Sequence, residues 1–205
     1  MSEPVKKPNR KSPESYNPKK PEIVRMAKQA VQNEPEKERQ TMGKLGGVRI
    51  TQIPQFKAIS SGLLTGDKIF GPGGFCDWFN AERSEKMVKN IAPYESPDFM
   101  WHEEGKSVWI WAAQEWVTED DVVPYHLIDF EGGMYVVGVA DENDADDRAA
   151  VNAEIMNWIK NSGAFELDDR PGHRGMGHRI GCDAIQEAIG MAQQEIFWPI
   201  KFKES

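Results

Sequence analysis

The segment Gln194-Glu195-Ile196-Phe197-Trp198-Pro199-Ile200-Lys201 has the composition of a β-strand and carries one carboxylate among aromatic and branched residues. Because side chains alternate between the two faces of a strand, Glu195 and Phe197 share one face. Charged residues are seldom buried without a partner. Glu195 is therefore the first candidate for a binding residue, and a solvent-exposed strand face is the alternative explanation.

This strand closes the second of two stretches that follow one plan. In the first, a strand-like run (48–61) leads through Gly-Pro-Gly-Gly to a helix-like run and then to two short strands, 97–102 and 107–113. In the second, 126–140 leads through an acidic turn and a helix to 171–178 and the Glu195 strand. Each copy is a strand, helix, strand, strand unit of roughly 75 residues, which cannot bury its sheet face alone. The pattern predicts an α+β domain of two packed copies.

The ends of the helices can be placed from the sequence. An apolar helical stripe predicts a helix from Phe75 to Ile91, which Pro93 ends. Asp144 to Asp147 provides the cap and the negative charge for a second helix, which Asn161-Ser162-Gly163 ends. A third, short helix is expected from Asp183 to Ile189. We expect the helices to cover one face of the sheet.

Charge divides the chain into two parts. The net charge is −8, yet residues 1–45 hold eleven Lys and Arg against six Glu, and the rest holds fourteen basic against twenty-seven acidic residues. We predict a basic, Pro-rich, largely disordered tail at 1–45, with room for one short helix at 21–31, and a folded domain at 46–205. The acidic domain argues against a nucleic-acid groove, and the tail is too short and too polar for a DNA-binding domain.

Several classes of protein and site are disfavoured. No apolar run approaches the roughly 20 residues of a membrane span, and the N-terminus lacks a signal-peptide pattern, which predicts a cytoplasmic protein without membrane contact. The four histidines lack metalloprotease spacing, so we expect no metal. Gly71-Pro72-Gly73-Gly74 lacks the Lys and the Ser or Thr of a phosphate loop, and we expect no cofactor.

Two tryptophans extend the candidate site. Trp109 and Trp111 share one face of a predicted strand in the first copy. If the two copies pair about a pseudo-twofold axis, Glu195 and Phe197 lie near these rings, and a carboxylate walled by aromatic rings attracts organic cations. The alternative is that Trp109, Trp111 and Phe197 belong to the core.

Matching positions in the two copies supply further candidates. Trp101, beside His102, occupies the same place in the first copy as Met176 and His178 in the second. We expect Trp101, Met176 and His178 to line the same cavity as Glu195, and core or surface roles are the alternative.

The segments that carry a family resemblance are Val48-Arg49-Ile50-Thr51-Gln52-Ile53-Pro54, Gly132-Gly133-Met134-Tyr135-Val136-Val137, Trp158-Ile159-Lys160-Asn161-Ser162-Gly163 and Glu195-Ile196-Phe197-Trp198-Pro199-Ile200. From about Val48 to Lys203 the chain resembles the GyrI-like small-molecule-binding domain, the effector-binding domain of AraC-type and MerR-type regulators. The resemblance implies duplicated βαββ halves of the SHS2 type, with a central groove for lipophilic, often cationic ligands. It matches Glu195 to the acidic residue of the last strand and Phe197 to the aromatic residue two positions on.

Three functions are compatible with this pattern. Unlike the regulators, the chain carries no recognisable DNA-binding part, so the first is binding of planar, cationic small molecules for sensing, sequestration or resistance. The second is hydrolysis of electrophilic, cyclopropane-bearing molecules, as in standalone members that the resemblance includes, with Glu195 as the catalytic residue. The third is an interaction module whose basic tail docks on a protein or a nucleic acid.

Overall fold

The computed structural model describes residues 47–81, 84–89, 98–181 and 183–204. The strands are β1 (Arg49–Ile53), β2 (Phe56–Ser60), β3 (Asp98–Glu103), β4 (Lys106–Ala112), β5 (His126–Phe130), β6 (Gly133–Asp141), β7 (Phe165–Leu167), β8 (Met176–Arg179) and β9 (Gln193–Phe202). The helices are α1 (Gly66–Phe70), α2 (Phe75–Asn80), α3 (Ser84–Met87), α4 (Glu119–Val122), α5 (Ala145–Asn161) and α6 (Asp183–Ile189). The predicted tail at 1–45 and its helix lie outside the described residues.

The strands form one antiparallel sheet in the order β1-β6-β9-β8-β3-β4-β2-β5, with β7 added beside β9. The order is symmetric about the β3–β8 contact, since each position in one half has its counterpart from the other copy. The first strand of each copy is exchanged: β1 pairs with β6, and β5 pairs with β2. The predicted duplicated α+β fold is confirmed.

Each predicted long first strand is broken into two. Pro54 and Gln55 separate β1 from β2, because proline has no N–H to continue the ladder. Gly132 lies between β5 and β6 with a φ of +71°, and a Cβ there would be 2.4 Å from the carbonyl oxygen of Ile53. The two breaks therefore pack against each other, and only glycine fits at this close approach.

The sheet has two faces with different roles. The concave face, here called the inner face, is filled by a cluster of buried side chains: Ile53, Phe56, Ala58, Phe99, Val108, Ile110, Ala112, Phe130, Tyr135, Val137, Met176 and Phe197. The opposite, outer face carries the helices. There α5 packs through Val151 and Ile155 against β6 and β9, and α2 packs through Phe75 and Phe79 against β4. The prediction that the helices cover one face is confirmed.

The helices differ in how well the sequence placed them. Asp144 caps α5 as predicted, accepting hydrogen bonds from the backbone N–H groups of Asp146 and Asp147 at 3.0 and 3.1 Å. The long helix predicted from Phe75 to Ile91 is instead the two short helices α2 and α3. The second of these, α3, ends at Met87, because Val88 forms a β-bridge with Ala113 just after β4. None of the helices in the described part of the chain has the length and apolar composition of a membrane span.

Candidate functional site on the inner face

The strand register brings five of the predicted site residues to one face. In the β8–β9 pair, His178 lies opposite Glu195 and Met176 lies opposite Phe197. In the β3–β8 pair, Met100 lies opposite Gly177, so that Trp101 points to the same side as Met176 and His178. Residues from both copies therefore meet on the inner face, across the junction between β3 and β8.

Trp109 and Trp111 are on the outer face. Met100 lies opposite both Gly177 and Trp109, and Gly177 lies opposite Ile196. Trp109 in the first copy therefore corresponds to Ile196 in the second, and Val108 corresponds to Glu195. Trp109 and Trp111 point to the opposite face of the sheet from Glu195. The structure does not bring these tryptophans to Glu195.

The tryptophans instead pack beneath the helices of the first copy. The Trp111 ring stacks on Phe79 with 4.5 Å between centroids, and the Trp109 indole N–H donates to the Asp98 carboxylate at 2.7 Å. These contacts give the two rings a structural role in the outer layer.

The Glu195 carboxylate is buried and only half paired. Its residue is 4% exposed. Oε1 accepts a hydrogen bond from Nη2 of Arg49, whereas Oε2 is buried and has no hydrogen-bond partner among the described residues. Arg49 reaches Glu195 because it lies opposite Val137 in the β1–β6 pair, and Val137 lies opposite Phe197. The Arg49 side chain is 46% exposed, so this ion pair joins a buried anion to a cation at the surface.

His178 adds a second basic group beside Glu195. Its Nδ1 lies 2.7 Å from the backbone carbonyl oxygen of Asp98 and 3.1 Å from the Asp98 carboxylate, both of which can accept a hydrogen bond from a protonated Nδ1. Burial disfavours the charged imidazole, but the hydrogen bonds and charge of Asp98, together with the charge of Glu195, raise the pKa of His178 above its ordinary value. The imidazole is therefore more readily protonated than in water.

Aromatic rings surround this polar row. The Phe197 ring meets Phe99 edge-on at 5.5 Å and Tyr135 edge-on at 6.1 Å, and Phe99 lies 5.7 Å from the His178 ring. Burial, followed by the charges of Asp168 and Glu131, raises the pKa of Tyr135 far above the ordinary range, so the phenol stays neutral. The inner face thus combines one carboxylate with neutral π faces.

A small cavity opens from the inner face. It has a volume of about 200 Å³ and is lined by Trp101, Ile128, Asp129, Phe130, Glu131, Tyr135, Gly172, Arg174 and Met176. The Arg174 guanidinium lies over the Trp101 ring at 5.4 Å and also pairs with Glu103, while the Trp101 indole N–H is buried without a hydrogen-bond partner among the described residues. The cavity is therefore acidic and aromatic, with one basic side chain at its rim.

A wider groove of about 890 Å³ crosses the sheet on the outer face. Met100, Gly177, Ile196 and Trp198 of the outer face line it, and the inner-face residues Trp101 and Met176 also border it. A Cβ on Gly177 would be 2.8 Å from the Gln194 amide, so glycine keeps this part of the groove open. Glu195, Phe197 and His178 line neither this groove nor the small cavity.

Arg49 is the functional candidate that the sequence reasoning missed. It is a charged residue in a short strand-like run, as Glu195 is in the last strand, and this similarity was the available signal. The contact also depends on β1 pairing with β6 of the other copy, and this exchange of strands cannot be read from a strand-like run alone.

Comparison with known proteins gives one consistent result for the fold. No family model and no curated protein matches the sequence. Among solved structures, the EcmrR C-terminal domain aligns with a TM-score of 0.52 and 12% identity over 76% of this chain and 97% of that chain. A hydrolase from Listeria innocua aligns with a TM-score of 0.50 and 13% identity over 75% and 91%.

A third similar structure is SAV2435 bound to tetraphenylphosphonium, at 15% identity over 76% of this chain and 94% of that chain, with a TM-score of 0.46. On the strand order, the exchanged first strands and the aligned EcmrR domain, this chain has the fold of the GyrI-like effector-binding domains.

Proposed function

We propose that this domain binds planar or amphipathic organic cations on its inner face, with the positive charge of the ligand next to Glu195. The observation that carries the proposal is the buried Oε2 atom of Glu195, which has no hydrogen-bond partner in the described part of the chain. Leaving a buried acceptor unsatisfied costs about 1–3 kcal/mol, and more for a charged group. A ligand that brings a cation or a donor to this atom recovers that free energy.

The surroundings of Glu195 favour a flat, positively charged ligand over other chemistry. Phe99, Phe197 and Tyr135 are buried neutral rings on the same face as Glu195, and each cation–π contact that a ligand makes when it inserts there contributes roughly 0.5–2 kcal/mol. Glu131, whose side chain is exposed, adds negative charge at the cavity that continues the inner face. An anionic ligand would meet the carboxylates of Glu195 and Glu131, and it would also lose its hydration on entry.

The size of the cavity sets a further condition. At about 200 Å³ it is smaller than the roughly 300–1,000 Å³ that drug-sized ligands occupy. We therefore expect side chains at its rim to move when a ligand enters. We expect the side chains of Trp101 and Arg174 to move. Arg174 covers the Trp101 ring, and it is held there only by an ion pair with the half-exposed Glu103, which is weakened by solvent.

A fluorescence titration with matched cationic and neutral planar dyes tests the proposal. Glu195→Gln should weaken binding of the cationic dyes about tenfold or more and change binding of the neutral dyes little, because only the charge is removed. Glu166→Gln is the matched control, since Glu166 is also a carboxylate paired to a cation, Lys201, but its side chain is half-exposed. Equal losses for both dye classes in Glu195→Gln would refute a charge-reading site.

A hydrolase is the second candidate, and the adjacency of Glu195 to His178 favours it. A carboxylate with an unpaired oxygen beside an imidazole of raised pKa is a pair in which one group can accept a proton and the other can donate one. Mass spectrometry of each dye mixture, and of an electrophilic strained-ring compound, would detect turnover. For a hydrolase, Glu195→Gln should abolish product formation while ligand binding is largely retained.

A further inference from the structure

The proposed cation site already contains a cation. Arg49 pairs with Oε1 of Glu195, and its guanidinium comes from β1, which is an edge strand in the sheet order. The Glu195 residue is 4% exposed, whereas the Arg49 side chain is 46% exposed. The anion is therefore fixed in the interior, and the cation has a route to solvent.

We infer that Arg49 determines which ligands the inner face accepts, by occupying Glu195 until a ligand cation replaces the guanidinium there. The inference rests on the proposed function and adds a residue and a competition to it. Replacement is feasible because the Arg49 side chain is already half-exposed, so that its charge stays hydrated when it leaves Glu195, whereas Glu195 is buried and cannot follow it. A ligand cation at Oε2 and the guanidinium at Oε1 then compete for the single negative charge of one carboxylate, because two cations this close repel each other.

The competition has a defined cost for the ligand. If the pair is closed in 90–99% of molecules, the apparent affinity for a cation is lower by about 10–100-fold than that of the open form. Removing the guanidinium abolishes this cost. Removing the carboxylate instead leaves Arg49 as the dominant charge, and the site should then prefer anions.

Two probe ions of nearly the same shape and opposite charge separate these effects: tetraphenylphosphonium and tetraphenylborate. Their binding is measured by calorimetry on the full chain. Arg49→Gln should bind tetraphenylphosphonium at least about tenfold more tightly than wild type, and Arg49→Lys should stay close to wild type. Glu195→Gln should lose affinity for tetraphenylphosphonium and gain affinity for tetraphenylborate. The double variant should bind both ions with little preference.

Lys201→Gln is the control for a general change in charge, because it removes one cation from the same sheet at an exposed ion pair. It should leave both affinities unchanged. Arg49→Met repeats the loss of charge with a different side chain, and circular dichroism of each variant confirms that it is folded.

The outcomes distinguish the inference from the proposed function. If Arg49→Gln and Arg49→Met are folded and bind tetraphenylphosphonium no better than wild type, Arg49 is not a competitor, although the binding function can still hold. If neither ion binds wild type or any folded variant, the binding function itself is overturned. An equal gain for both ions in Arg49→Gln would indicate a wider opening without charge competition, which also contradicts the inference.

Discussion

Arg49 on β1 and Glu195 on β9 form an ion pair between residues 146 positions apart, and each belongs to a different copy of the repeat. The contact exists because the first copy donates β1 to the half of the sheet that contains β9. The strand exchange therefore produces more than a larger core. It places the charge of one copy beside the buried carboxylate of the other.

The two members of this pair should contribute unequally to stability. Arg49→Gln leaves the buried carboxylate without its counter-charge and should lower the free energy of unfolding by about 2–4 kcal/mol, near the range for breaking a buried pair. Glu195→Gln removes the buried charge and leaves the half-exposed guanidinium of Arg49, which should cost about 1 kcal/mol. Urea unfolding of both variants measures the difference. Equal costs would mean that the carboxylate is better solvated than its burial indicates.

His178 should make the stability of the domain depend on pH. Because its folded pKa is raised above 6.5, the stabilisation from its proton is fully present below pH 6.5 and is lost as the pH rises through the folded pKa. The urea midpoint of wild type should therefore fall as the pH increases from 6.5. In His178→Gln this part of the decrease should disappear. A wild-type midpoint that rises over this interval would show that the imidazole is neutral in the folded protein.

Trp109 and Trp111 should matter for stability and not for ligand charge. Trp111→Phe removes part of a ring stacked on Phe79, and Trp109→Phe removes the hydrogen bond to Asp98, each at a cost of about 1–2 kcal/mol. The affinities for cationic and neutral dyes should stay within about twofold of wild type. Trp101→Phe is the comparison, because Trp101 lines the inner cavity. A selective loss of cation binding in Trp111→Phe would place the ligand on the outer face.

Gly138 is expected to fix the distance between β6 and α5. A Cβ at this position would lie 2.6 Å from Cγ1 of Val151 and 3.3 Å from Cδ1 of Ile155. Gly138→Ala should destabilise the domain by about 1–3 kcal/mol through overpacking. Gly163→Ala is the control, since a Cβ there has no neighbour within 4 Å. Thermal unfolding of both variants compares them, and equal midpoints would mean that α5 can shift at no cost.

The sequence predicted those parts of the fold that depend on local patterns. The α5 helix follows from the Asp144 cap and its apolar stripe, and the duplication follows from the repeated order of elements. Which faces of the two copies lie on the same side of the sheet could not be predicted. Alternation within a strand shows which residues share a face, but it does not show which face of the other copy lies beside it. Trp109 and Trp111 were correctly paired with each other for this reason, and their position relative to Glu195 depended on the β3–β8 register.

The candidate site likewise contains residues that local sequence patterns identify and one residue, Arg49, that they do not. Glu195 stood out because a charge in an apolar strand is locally unusual, and Phe197 followed from the period of two. Arg49 reaches Glu195 only through the exchanged strand β1, which is a long-range pairing. The sequence predicts one long helix in place of α2 and α3, because Val88 falls on the apolar stripe of that helix. In the structure the backbone of Val88 pairs with Ala113 instead.

The most direct measurement is a crystal structure of this chain with a bound planar cationic dye. The account predicts that the positive centre of the dye lies within about 6 Å of an inner-face ring and next to the Glu195 carboxylate, with the Arg49 guanidinium turned into solvent. A dye seated in the outer groove against Trp198, with the Arg49–Glu195 pair intact, would contradict both the proposed site and the role of Arg49.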